Sequence, residues 1–370
     1  MKIISKEIKR QLSEAELKYL DENTCLLDIE TTGLSPNYCH IYMIGLSRIT
    51  GDIENIKSGD NISLRITLLF AEAPSEEEDI LLEFSDYSKN TNQFITFNGL
   101  TFDFPFIKSR FNKYGIDYDY KKYNQIDIYK KCKGLKSLLK LNNLKQKTIE
   151  AFLGIEREDK YSGGELIEQY KTYTKTGDKE LYNNLITHNL EDVQGMVDLL
   201  VILRYTDIVD IIDWKAVPKI TYSDNEKEIT TTLPLKYPIP KRLALRKEYY
   251  YIILEDSRVK ALLSPKDTKM KYYLKNFRDY SYIPNEGIII PNKLLNPANK
   301  KNAVPAKKEN CFVEKKGLFL PVLDKTMFEE DKLYRESYSD KECYIDIIDK
   351  TDDSVYIKNY IFHVIESEAT

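Results

Sequence analysis

The chain of 370 residues carries 55 Lys and Arg against 59 Asp and Glu, a net charge of −4, with 42% hydrophobic and 31% charged residues. That is the composition of a soluble globular protein, long enough for one large domain or two ordinary ones. It excludes a global positive field for attracting nucleic acid and leaves only local basic surface for that purpose. Five scattered cysteines (Cys25, Cys39, Cys132, Cys311, Cys343), none in a C-x-x-C pair, argue against a zinc ribbon and a disulfide framework. No apolar run of about 18 residues is present to span a membrane. The N-terminus lacks the apolar core of a signal peptide, so the expected location is cytoplasmic.

In chain order, Ser13-Glu-Ala-Glu16 fits a capping box and predicts a short helix through Tyr19 and Leu20. Leu26 and Leu27 lead into Asp28-Ile29-Glu30-Thr31-Thr32-Gly33, which reads as a buried strand and its exit turn. On a strand, residues i and i+2 share a face, so Asp28 and Glu30 stand side by side. Two such carboxylates repel and are costly to desolvate unless a cation sits between them. Either a pair of divalent metals holds them or the stretch is an ordinary solvated strand end.

Ile41–Ile49 reads as a strand in which Gly45 marks a bulge or a close backbone approach. Ile62–Phe70 alternates apolar and polar residues, as a half-buried strand does, and completes an antiparallel meander or hairpins. Ser75 caps a helix whose apolar side is Ile80, Leu81, Phe84 and Tyr87. Gln93–Phe97 is a short strand ending at the Asn98-Gly99 turn, and Asp103–Tyr114 is a helix with Pro105 in its first turn. Strand, meander, helix, strand, helix is an α/β layout with a mixed sheet covered by helices.

From Lys121 to Lys147 there are nine lysines and one acid, Asp127, which reads as solvated surface or as a phosphate-contacting flank. Gly154 and Ser162-Gly163-Gly164 punctuate loops, and a helix running through Tyr173 breaks at Thr176-Gly177-Asp178. Asp178–Tyr205 then reads as one long helix. His188 and Asp192, four apart and so adjacent on one face, lie on the apolar line through Leu181, Leu185, Met196 and Leu199. Such a pair is a core hydrogen bond or part of a site.

Beyond Trp214 the texture changes, which divides the chain into domains at 1–212 and 213–370. The second is smaller and β-rich or α+β, with strands expected at Tyr249–Leu254, Tyr344–Ile348 and Val355–Val364. Its stretch Lys271-Tyr272-Tyr273-Leu-Lys275-Asn-Phe277-Arg278 mixes cations with aromatic faces. That mixture suits single strands, unless the aromatics are core and the lysines merely solvated.

Taken in order, Asp28-Ile-Glu30-Thr-Thr-Gly-Leu, Asn98-Gly-x-x-Phe-Asp103 and His188-x-x-x-Asp192 resemble the motifs of the DEDD 3′–5′ exonucleases of the RNase H-like superfamily. The histidine four residues before the last Asp places the resemblance with the DEDDh type. It is nearest to the YprB-like RNase H-like proteins of Firmicute-type bacteria, which share Phe-Asn-Gly-x-x-Phe-Asp, Ile-Asp127-Ile, Gly177-Asp178 and His188-Asn-x-x-Asp192-Val. The match covers roughly residues 20–205 and does not extend to 215–370. It implies an RNase H-like mixed sheet flanked by helices. It also implies two Mg²⁺ or Mn²⁺ ions about 4 Å apart, held by Asp28, Glu30, Asp103 and Asp192. His188 would be the general base, and Asp127 a supporting residue. Thr31, Thr32, Leu34 and Asn98 would meet the substrate, a single-stranded or 3′-ended DNA or RNA. The rival readings are an RNase H-like endonuclease with the same metal core and a non-catalytic nucleic-acid-binding module.

Overall fold

The computed structural model describes residues 1–51, 61–223, 228–328 and 331–369. The chain forms two compact units, Met1–Asp207 and Ile208–Thr370. In the first, β1 (Lys2–Gln11), β2 (Thr24–Thr31), β3 (Ile41–Thr50), β4 (Asn61–Phe70), β5 (Gln93–Thr96) and β6 (Asn124–Asp127) make one sheet in the order β1-β4-β3-β2-β5-β6. Neighbours from β1 to β2 pair antiparallel, whereas β2–β5 and β5–β6 pair parallel. The expected meander and mixed sheet are both present. The Asp28 strand is central, as its run of buried residues from Thr24 to Leu27 requires.

Strand β1 escaped the sequence reading for a physical reason. It is an edge strand whose side chains are nearly all exposed or half-exposed, Ile8 alone being buried. An edge strand full of lysine carries no apolar alternation to detect.

The helices are α1 (Glu14–Leu17), α2 (Glu77–Ser88), α3 (Asp103–Lys113), α4 (Ile128–Lys131), α5 (Leu135–Leu138), α6 (Gln146–Leu153), α7 (Gly163–Thr176), α8 (Lys179–Leu199) and α9 (Leu203–Thr206). Ser13 and Glu16 do form a capping box, but α1 stops at Leu17, short of Tyr19. Ser75 does not cap α2: it lies within a 3-10 turn, Pro74–Glu76, and no side chain caps the helix that follows. The long C-terminal helix of this unit ends its α-helical part at Leu199 and tightens into a 3-10 turn before α9.

Helix α8 lies over β2, β3 and β4, and Gly45 is what lets it approach. A Cβ there would stand 2.2 Å from Asn189 Oδ1 and 2.5 Å from Val193 Cγ2, so only glycine fits. The loop after β2 is fixed from the other side. Buried Glu77 accepts from the Ile41 amide at 2.7 Å, from Arg110 Nε at 2.7 Å and from the Tyr114 hydroxyl at 2.9 Å, while Arg110 Nη1 donates to Pro36 O at 2.7 Å. A buried charge pair satisfied on every side holds its surroundings in one arrangement.

The second unit is β-rich. Strands β7 (Lys219–Tyr222), β8 (Ile229–Pro234), β9 (Leu243–Arg246), β10 (Tyr250–Glu255) and β11 (Arg258–Leu263) form an antiparallel sheet in the order β7-β8-β11-β10-β9. Strand β12 (Lys266–Tyr273) pairs with β16 (Phe312–Val322), which pairs with β17 (Cys343–Asp346). Strand β13 (Tyr280–Ile283) lies between β14 (Ile288–Pro291) and β15 (Val304–Pro305). Short helices Ile208–Ile211 and Pro297–Lys300 (α10 and α11) complete it with α12 (Ser354–Ala369). That last element corrects an expectation, since Val355–Val364 is helix and not strand. Ile357, Tyr360, Ile361 and Val364 are among its buried residues, a helical spacing, and Asp353 Oδ1 accepts from the amides of Val355 and Tyr356 at its start. No helix among the described residues is long and apolar enough to cross a membrane.

Candidate active site

Asp28 and Glu30 project from the end of β2, at the edge where the chain turns out of the sheet. Strand β5 runs parallel beside it and ends in a turn with Asn98 at φ 68°, which swings Asp103 into the first position of α3. Asp103 Oδ1 accepts from the Ile29 amide at 3.2 Å, so this carboxylate is tied to the backbone between Asp28 and Glu30. Asp127, at the end of β6, accepts from the amides of Asn98 and Leu100 at 3.0 and 3.2 Å and from Lys130 N at 3.1 Å. It orders the turn that delivers Asp103, and its oxygens are spent on backbone.

The third contribution comes from α8. His188 Nε2 lies 3.3 Å from Glu30 Oε1 and 3.1 Å from Asp192 Oδ2. The donor atoms of Glu30, His188 and Asp192 all fall within 4.8 Å of one another. Asp28 joins the cluster through buried Asn189, whose Nδ2 donates to Asp28 Oδ2 at 2.6 Å. Tyr42 donates to Glu30 Oε2 at 3.4 Å.

Two further side chains, Asp159 and Arg157, join the cluster without any mark in the sequence. The ring's other nitrogen, His188 Nδ1, is 2.7 Å from Asp159 Oδ2, and Lys147 Nζ is 2.7 Å from the same oxygen. The Asp159 side chain is only 1% exposed. Arg157 pairs with Asp192 Oδ1 and reaches Glu150 Oε2 at 3.1 Å. Arg157 and Asp159 sit in the charged run Glu156-Arg-Glu-Asp-Lys160, which reads as solvated loop, so nothing local marks them. Asn189 had a visible signal, a polar residue beside His188 on a helix packed against the sheet.

Electrostatics sort these groups. Burial first, then the charges of Asp192, Asp103 and Glu30, push the Asp28 carboxyl well above the ordinary range. Burial lifts Asp103 to about 7 even though backbone amides, Ile29's among them, work the other way. His188 behaves oppositely: burial pulls it down, but its bonds to Asp192 and Glu30 overrule that and raise it to about 11. Burial would raise Asp192, yet His188 and Arg157 hold it below the usual value. Against burial, Lys147, the Tyr161 amide and His188 bring Asp159 down to about 2. The cluster's surplus negative charge thus favours the protonated forms of Asp28, Asp103 and His188.

The residues expected at the substrate lie in the loops that follow β2 and β5. Thr31 Oγ1 donates to Gly33 O at 2.8 Å, and Thr32 Oγ1 accepts from the His40 amide at 3.1 Å, so both hydroxyls shape the loop. Leu34 is 85% exposed beside them. Asn98 makes the turn described above. The nine lysines between Lys121 and Lys147 are all exposed, with Lys147 alone paired to a carboxylate among the described residues.

Residues 25–204 match the family model of the RNase_H superfamily, and the first unit is an RNase H-like domain. No curated protein matches the chain. Among solved structures, a family B DNA polymerase from the archaeon Pyrobaculum calidifontis is similar with 15% identity and a TM-score of 0.36, over 49% of this chain and 24% of that one. E. coli exonuclease I in complex with a dT13 oligonucleotide is similar with 12% identity and a TM-score of 0.27, over 62% of this chain and 54% of that one. The zinc-bound exonuclease I–single-stranded DNA complex from E. coli gives 13% and 0.28, over 79% and 64%. In each case the chain spans less than two thirds of the matched structure's own length.

Proposed function

We propose, from an RNase H-like domain whose sheet edge gathers four carboxylates and a histidine, that this chain is a metal-dependent 3′–5′ exonuclease of the DEDDh type. The observation that carries the reading is the cluster itself. Asp28, Glu30, Asp103 and Asp192 converge at one strand end, burial and then their mutual repulsion raise the Asp28 carboxyl, and His188 stands between two of them. Such a cluster is unfavourable unless cations share it, and hard carboxylate oxygens suit Mg²⁺ or Mn²⁺. Two bound divalent ions would polarise the scissile phosphate and offset charge on the attacking and leaving oxygens.

The chain's own residues would do the rest. Asp103 is locked to the Ile29 amide, which fixes one ligand relative to the two on β2. Asn189 orients Asp28 from the helix side. Asp192 and Glu30 beside it favour the charged ring of His188. With those two neutralised it returns toward the ordinary imidazole range, and Nε2 can take a proton from water. Asp159 accepts from Nδ1–H and so leaves Nε2 as the basic nitrogen. Leu34, exposed on the loop after β2, would meet the terminal base.

The direct test is a 5′-end-labelled single strand, DNA or RNA, incubated with Mg²⁺ or Mn²⁺. Stepwise shortening by single nucleotides is expected. Internal cuts would make the chain an endonuclease, and an unchanged strand would make it a binding module.

The proton inventory gives a second expectation. A carboxyl raised to about 7 keeps its proton below neutral pH, and an entering cation must displace it. Affinity must therefore rise with pH, by up to about tenfold per unit for each proton displaced. Mn²⁺ titrated calorimetrically at pH 6, 7 and 8 should bind progressively more tightly and release protons. Affinity that stays flat across this range would refute the proposed ligand set.

A further inference from the structure

In the second unit, the end of β12 with residues 325–328 and 331–338 encloses a cleft of about 1010 Å³. Five cations line it: Lys275, Lys308, Lys325, Lys332 and Arg335. Among the described residues its one lining acid, Asp331, is already satisfied by Lys350 at 2.5 Å and by the Tyr356 hydroxyl at 3.1 Å. None of the four lysines is ion-paired among the described residues, and all four are exposed. Like charges gathered without partners repel one another, and an anion relieves that.

The aromatic faces specify which anion. Tyr272, Tyr273 and Phe277 are half-buried in the wall and Tyr338 is 36% exposed. Tyr273 and Tyr338 meet edge-on at 5.2 Å, Lys332 lies 5.5 Å from the Tyr272 ring, and Lys308 lies 5.9 Å from Phe277. Cations standing beside aromatic rings offer a phosphate contact and a stacking face together, the combination that binds bases freed from a duplex.

We infer that this cleft binds single-stranded nucleic acid, with lysines on the phosphates and bases against the tyrosines and Phe277. The inference does not rest on the nuclease reading, because binding is measured without metal. The full chain, in EDTA, is titrated against fluorescein-labelled dT20 and U20 at several KCl concentrations, with anisotropy as readout. The triple variant Lys275→Ala/Lys308→Ala/Lys332→Ala changes only exposed side chains. It should bind about tenfold or more weakly, with a salt slope shallower by about 2, three contacts at ~0.7 each. Tyr273→Ala should weaken binding by about fivefold or more at every salt concentration while leaving the slope unchanged, as loss of a stacking face does. Unaltered affinity and slope in the triple variant would overturn the inference, whatever the tyrosine variant does. So would polyglutamate or a duplex of equal length competing as well as the strand, since the cleft would then be a general polyanion surface.

Discussion

Asp28→Asn is expected to lower metal-dependent hydrolysis by about a thousandfold or more while the protein folds as before. The loss follows from removing a charged ligand that would contribute several kcal/mol to transition-state charge stabilisation, each 1.36 kcal/mol being about tenfold in rate. Folding is preserved because Asn189 Nδ2 donates to one oxygen of this side chain, and an asparagine oxygen can accept the same bond. Stability in EDTA should rise. The folded state lifts the Asp28 pKa, by burial first and by the neighbouring carboxylates second. A raised acid stabilises the fold below its ordinary pKa, and that contribution is lost as pH climbs through the raised value. An amide never ionises, so the variant escapes the loss, and its advantage is largest at neutral and alkaline pH. A gain on the order of 1 kcal/mol would raise the melting temperature by about 2–4 °C. Calorimetry in EDTA and a metal-supplemented nuclease assay check both halves. Full activity in the variant, or wild-type activity in excess EDTA, would refute the two-metal reading.

Much of this site was legible because β2 and α8 obey simple periodicities. Asp28 and Glu30 were placed on one face by the period of two, and His188 and Asp192 by the period of four on an apolar stripe. Gly45 reads as a bulge or a close backbone approach, and the close approach is the one present, since Asn189 and Val193 lie where a Cβ would be. The expected mixed sheet, its antiparallel meander and the β-rich second unit are all present. What failed was either edge or amphipathic ambiguity. Strand β1 hides its pairing behind exposed lysines, and α12 carries enough Val, Ile, Tyr and Phe to imitate a strand until its buried residues are seen at helical spacing. Asp159 and Arg157 could not be found by any local rule, because only the tertiary fold carries residues from a charged loop to the far side of an imidazole.

Removal of the histidine separates its proposed role from that of a ligand or a core residue. His188→Ala should reduce the rate by about 10²–10⁴-fold, the worth of a positioned general base. Nε2 sits among the donor atoms of Glu30 and Asp192, so a ligand role makes a different forecast, a collapse of metal affinity. On the base reading, Mn²⁺ affinity measured calorimetrically changes little and the wild-type rate rises with pH through the imidazole range, a rise the variant loses. Asp159 acts through the ring. It lies 2.7 Å from Nδ1 and is held low by Lys147, so as acceptor from Nδ1–H it would fix both the tautomer and the direction in which Nε2 points. Asp159→Ala should cost about 10–100-fold, the usual penalty for losing a group that orients another. Asp159→Asn, which still offers an oxygen to Nδ1–H, should recover most of that. In His188→Ala the ring is gone, so adding Asp159→Ala should cost nothing more, whereas independent structural damage would add. Additive losses, or a His188→Ala variant with unaltered rate, would remove His188 from the chemistry and leave the pair as a buried hydrogen bond.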